Sequence, residues 1–209
     1  MAGDSTAGAP KRPPTLPARS GTPGTATPTG AFRTGAIPAQ AAGSHALDGL
    51  VRFNAAPARA AEGALLACCG SRRWAQRIAA HRPYPTLDAL LAAADEASYD
   101  LSGADLDEAL ADETSAGLPP GTPAAAHMAW DAAHAAYEAR FRHAFVICLD
   151  GYRPEELLDQ ALAGIRSRMG NQPDEERAIA ADELRRLARA RLSRLVAGPG
   201  HPNSPSVLV

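Results

Sequence analysis

The chain has 209 residues with a formal charge of −2, so it lacks the basic excess on which nucleic-acid binding relies, and no nucleic-acid partner is expected. Apolar residues make up 45% of it and aromatic ones only 5%. Alanine must therefore do much of the filling of any core, which suits close helix packing and argues against a β-sandwich. No run approaches the roughly 20 apolar residues of a membrane span, so no membrane partner is expected either.

Residues 1–46 are dominated by Pro, Gly, Thr, Ala and Ser, with Pro10, Pro13, Pro14, Pro17, Pro23, Pro28 and Pro38 spread along them. Such a segment buries too little surface to offset its ordering entropy, and a disordered arm is expected. It has no compact apolar core of a secretory signal. With the three cysteines Cys68, Cys69 and Cys148 in no CxxC spacing, this suggests a cytoplasmic protein with reduced, buried thiols.

Helix signals then recur. Pro57 or Ala58 opens a helix carrying Ala61, Leu65, Leu66 and Cys69 on one face, closed by Gly70. Ser71 caps the next, with Trp74, Ile78 and His81 at helical spacing up to Pro83. Thr86 caps a run through Leu87, Leu90, Leu91 and Ala94. Ser102 and Asp105 form a capping-box pattern ahead of Leu106 and Leu110. After a break at Gly117-Leu118-Pro119-Pro120-Gly121, a long helix is predicted from Pro123 to Arg142 with Trp130, His134, Tyr137 and Phe141 on one stripe. Phe145 to Leu149 has no β partner and reads as a buried extended connector. Pro154 should be a first helical residue, with the helix running to Gly170, and Pro173 should start a last helix ending at Gly198. The predicted class is all-α, one compact multi-helix domain over 47–197 with a flexible tail over 198–209.

Five stretches stand in a fixed order: Phe53-Asn54; Trp74…Arg82-Pro83-Tyr84 followed by Leu87; Tyr137-Glu138-Ala139-Arg140-Phe141 followed by Phe145-Val146-Ile147-Cys148; Asn171 to Glu176; and Asp182-Glu183-Leu184 with Arg191-Leu192. They resemble, in turn, the opening, the W…R-P-[FY] stretch, the Y-x-x-[KR]-F…F-V-I stretch and, for the last two, the closing pattern of the OHCU decarboxylase family, the urate-degradation enzymes that form allantoin. The resemblance implies decarboxylation of 2-oxo-4-hydroxy-4-carboxy-5-ureidoimidazoline to (S)-allantoin in purine catabolism, with no metal or organic cofactor, and it leaves a homodimer open. Arg191 falls at the family's binding arginine, where a planar, permanently charged fork suits a carboxylate or imide edge. The main chain of Phe145 and Ile147 would dock polar atoms of this small-molecule ureidoimidazoline substrate.

The sequence departs from the family where protons are handled. The family carries its histidine in an H-P-x-x-[AG] turn, but here Ala109-Leu110-Ala111-Asp112-Glu113-Thr114 has neither histidine nor proline. Thr114-Ser115 occupies an E-Q slot ahead of Ala116-Gly117, and the connection is shorter than usual. Glu113 can stand in for one of the two missing groups. His127, Asp131 and His134 lie at i, i+4 and i+7, on one helix face, and would make a proton shuttle or, less specifically, metal ligands. Alternatively, His134 packs in the core while His127 and Asp131 are solvated; His143 reads as a hydrogen-bonded bend residue. Three functions compete: a lyase working through a rearranged site, a catalytically silent relative that binds a ureide or acts as a scaffold, and an unrelated helical interaction module.

Overall fold

The structure is a computed structural model that describes residues 38–114, 118 and 121–198, with side chains from 47 onward. The expected arm over 1–37 and the tail beyond 198 lie outside the described residues. Within them the chain is all-helical, with α1 Pro38–Ala55, α2 Ala58–Leu66, α3 Arg72–Ala80, α4 Leu87–Tyr99, α5 Gly103–Asp112, α6 Ala124–Phe141, α7 Leu157–Arg168 and α8 Pro173–Ala197.

Local chemistry sets the starts of α3, α4 and α5. The Ser71 hydroxyl accepts from the Trp74 amide, Thr86 from Ala89, and Ser102 shares a reciprocal capping box with Asp105, which satisfies amides with no intrahelical partner. Three features differ from the sequence reading. Helix α2 ends at Leu66, so Cys69 lies in the turn before Gly70 and not on the helix. Helix α1 begins at Pro38, within the segment assigned to the arm. Helix α7 begins at Leu157, three residues after Pro154, because Pro154 to Glu156 form a turn. That turn is held by the Glu156 carboxylate, which accepts from the Arg153 amide at 3.0 Å.

Helix α8 is the hub, packed against α1 and α4, while α2 packs on α3. The main core gathers Leu50 and Phe53 from α1, Leu65 from α2, Trp74 and Ile78 from α3, Leu90 from α4, Leu110 from α5 and Leu184, Leu192 and Val196 from α8. Trp74 is fully buried, and its indole N–H reaches the Ala94 carbonyl and the Ser98 hydroxyl, both at 3.0 Å, so a polar atom in the core goes satisfied. A Cβ on Gly49 would overlap the carbonyl oxygen of Val196; a bare backbone there lets α1 approach α8 closely. A smaller core, Tyr137, Phe145 and Ile165, joins α6, the connector and α7.

Residues that carry the family likeness prove to be joints. Arg82 donates to the carbonyls of Phe53, Ala56 and Ala79 at 2.8–3.1 Å, closing the C-terminal ends of α1 and α3. The Asn54 amide brackets Tyr84, donating to its carbonyl at 2.8 Å and accepting from its N–H at 2.9 Å. At the α7–α8 junction Glu176, with no exposure, accepts from Arg168, from the Tyr137 hydroxyl and from the Asn171 side chain.

Candidate active site

Helix α5 ends at Asp112, and Glu113 follows in extended conformation. A Cβ on Gly70 would collide with the side chain of Asp112, so a bare backbone in the α2–α3 turn lets the end of α5 settle against it. This seats Glu113 opposite the C-terminal turns of α8. There Arg191 Nη1 and Nη2 donate to Glu113 Oε1 and Oε2 at 2.6 and 2.9 Å, a two-pronged pair, and Nη1 also reaches the Cys68 carbonyl at 3.3 Å. Side-chain exposure is 23% for Arg191 and 9% for Glu113. The pairing is therefore sheltered, and charge-assisted bonds of this geometry are strong. The hydrogen bonds to Glu113, against the opposing effect of burial, hold the Arg191 pKa above its ordinary value.

Two clefts meet at Glu113. One, of about 540 Å³, is bounded by Arg191, Arg194, Cys68 and Thr114. The other, of about 620 Å³, is bounded by Asp107, Glu138, Arg142, His143 and Ala144. Ala144, just before the extended connector, borders the second cleft, and Asp150, just after it, accepts from Arg194 at 3.3 Å; Phe145 and Ile147 line neither cleft.

Lacking a neighbouring strand, the connector finds partners for its main chain in side chains. Arg168 donates to the Val146 carbonyl at 2.7 Å, and Glu183 accepts from the Cys148 amide at 2.7 Å. Along an extended chain successive residues turn their polar groups to opposite edges, so Val146 and Cys148 use one edge and Phe145 and Ile147 the other. No described residue pairs with the main-chain groups of Phe145 or Ile147. The Phe145 side chain is buried and Ile147 is half-buried, both against Gly164 of α7. The structure thus puts their side chains in packing.

The three α6 residues part company. His127 and Asp131 are exposed. His134 is 5% exposed, its ring 4.2 Å from that of Trp130 and 5.7 Å from that of Phe145, and neither ring nitrogen has a hydrogen-bond partner. None of the three borders the two clefts at Glu113. Among the described residues no group of three His, Cys, Asp or Glu side chains is placed to hold a metal ion, and no helix is long and apolar enough to cross a membrane. Cys68 and Cys69 are buried and Cys148 is half-buried. Burial pushes the Cys69 thiol up to about 11.

Desolvation holds the pKa of His134 below the ordinary imidazole value, against the upward pull of the Glu138 and Asp131 carboxylates. With the folded value depressed, the unfolded chain binds the proton first. The stability contributed by the neutral ring is complete above about pH 6.5 and is lost as pH falls from there through the folded value. His134→Leu removes two unpaired polar atoms from the core. It should match or exceed the parent in urea midpoint at pH 8, and it should lose less stability on acidification. An equal acid loss in parent and variant would rule out this source of the response.

The structure is an all-helical domain in which an arginine–carboxylate pair borders two clefts, in the order of motifs read from the sequence. The chain belongs to the OHCU decarboxylase family: the family's sequence pattern matches residues 54–114 and 111–193. The match comes in two pieces that meet at 111–114, where the expected histidine turn is missing. Among solved structures, the chain is similar to that of an OHCU decarboxylase in the presence of (S)-allantoin, at 22% identity and TM-score 0.56, covering 64% of this chain and 96% of that one. It is also similar to an (S)-allantoin synthase, at 17% identity and TM-score 0.54, covering 68% of this chain and 52% of that one. At these identities the likeness is one of fold. No functionally curated protein matches the chain in sequence.

Proposed function

We propose that the protein releases CO2 from 2-oxo-4-hydroxy-4-carboxy-5-ureidoimidazoline to give (S)-allantoin, without a cofactor. The observation that carries this reading is the pairing of Arg191 with Glu113: the arginine at the family's binding position faces a carboxylate able to move a proton. As the carbon–carboxylate bond breaks, its electron pair passes into the ring. A fixed cation then helps most if it meets the ring's imide edge, where charge develops, and not the departing carboxylate, where charge is lost. Arg191 takes that edge, Glu113 is displaced from the fork and accepts the hydroxyl proton, and the main chain of Phe145 and Ile147 holds the ureido group. A structural relative was crystallised with (S)-allantoin, which makes a ureide the first ligand to test.

A second reading, a catalytically silent relative that binds a ureide, is favoured by the split of His127, Asp131 and His134 between solvent and core. Spontaneous decay of the substrate gives racemic allantoin, so chirality separates the two. Freshly generated substrate added to purified protein should yield an excess of the (S) form, whereas a racemic product would select the silent relative. On either reading Arg191→Ala should weaken (S)-allantoin binding by about 1.5–3 kcal/mol, the usual loss for a charged hydrogen bond, with the fold retained. Equal affinity by calorimetry would remove Arg191 from the site.

A further inference from the structure

We infer that His143, which the sequence reading set aside as a bend residue, is the group that protonates the ring carbon; the assignment rests on the decarboxylase reading above. Helix α6 closes at Arg142, which takes the left-handed conformation (φ 66°) with its N–H on the Glu138 carbonyl at 2.9 Å. That conformation is uncommon for a residue with a side chain. It turns the chain so that His143 leaves the helix axis and joins the wall of the cleft that Glu113 shares. His143 is half-buried, with its ring edge-on to Tyr137 at 5.6 Å.

Its Nδ1 lies 3.0 Å from the Ala144 carbonyl. A carbonyl only accepts, so Nδ1 bears the proton of that bond. Nε2 has no protein partner among the described residues. It is the nitrogen free to take a proton from solvent and pass it on.

Proton balance asks for such a group. The substrate enters as a monoanion and leaves as CO2 and neutral allantoin, so each turnover consumes one proton. The electron pair of the broken carbon–carbon bond moves into the ring, the hydroxyl proton goes to Glu113 and on to the ring nitrogen, and the ring carbon needs one more proton on a single face. The donor must refill from solvent, which an open cleft allows at His143, whereas His134 is sealed between Trp130 and Phe145. Asp107 and Glu113 from the α5 side, and Glu138, Arg142 and Tyr137 from α6, are the titratable or charged groups around the ring.

The test combines kinetics with a measurement on the unaltered protein. In H143Q the rate of (S)-allantoin formation should fall at least about 10²-fold, KM should change little, and the alkaline limb of the parent's pH–rate profile should vanish. In the parent labelled with ¹⁵N, added (S)-allantoin should move the His143 ring resonances and leave those of exposed His127 in place. An (S) excess of parental size in H143Q, or unmoved His143 resonances in a parent that makes chiral allantoin, overturns the assignment and leaves the decarboxylase reading intact. A parent that makes racemic allantoin fails that reading and the donor role together, and the ring resonances then decide whether His143 faces the ureide at all.

Discussion

Glu113→Gln is expected to lower the rate of (S)-allantoin formation by about 10²–10⁴-fold, the range usual for a lost general base, without raising KM. The amide keeps the shape of the side chain but takes no proton under working conditions. It also releases Arg191 from the two-pronged pair at 2.6 and 2.9 Å, so the fork no longer has to exchange one anion for another when substrate arrives. A lower rate with an unchanged or smaller KM is a combination that a merely structural ion pair would not produce. Loss of that pair alone would loosen the α5 end and weaken binding. Steady-state kinetics with chiral detection reads both quantities, and a parental rate in the variant would move hydroxyl-proton handling away from Glu113.

Glu176→Ala is expected to cost about 3–5 kcal/mol of unfolding free energy, because it leaves the Arg168 guanidinium buried without its counter-charge. Arg168 is 7% exposed and Glu176 not at all. Truncation also strands the Tyr137 hydroxyl and the Asn171 amide that converge on the same carboxylate. Replacing both partners by apolar residues, Arg168→Met with Glu176→Leu, should recover much of that loss, since no charge then remains in the core. Urea unfolding of the single and double variants checks this, and a double variant as unstable as the single one would contradict it. Burial raises the pKa of Glu176, but the hydrogen bonds from Arg168, Tyr137 and Asn171 outweigh it and hold the value below 4.5. The stability owed to this depressed group is therefore present above the ordinary glutamate range and is lost as pH falls through the folded value. Arg168 also holds the Val146 carbonyl, so the single variant should loosen the connector as well.

Helix ends and connector were legible in the chain because their causes are local. A hydroxyl at Ser71, Thr86 or Ser102 reaches an amide three residues on, and an apolar run with no strand to pair with can only be a connector. Helix α1 gave no such signal over Pro38–Ala46, since a Pro, Gly and Ala-rich stretch reads as unstructured until its later turns find α8. The stripe through Trp130, His134, Tyr137 and Phe141 was also visible, yet periodicity says which side chains share a face and not what lies opposite it. Phe145 opposite makes His134 a core residue, and solvent makes His127 and Asp131 surface ones.

The sequence by itself determined the all-helical class, the capped helices, the family and the place of Arg191 in its closing motif, because propensity, capping and motif order act over a few residues. Only the tertiary structure decided what surrounds that arginine. Glu113 is 78 residues from Arg191, and no spacing rule links them until α5 is seated on Gly70. Cys148 and Glu183 are likewise joined across 35 residues. His143 enters the cleft only because the backbone at Arg142 turns left-handed. Contacts of that range depend on how helices pack, and packing follows from the shape of every buried side chain at once.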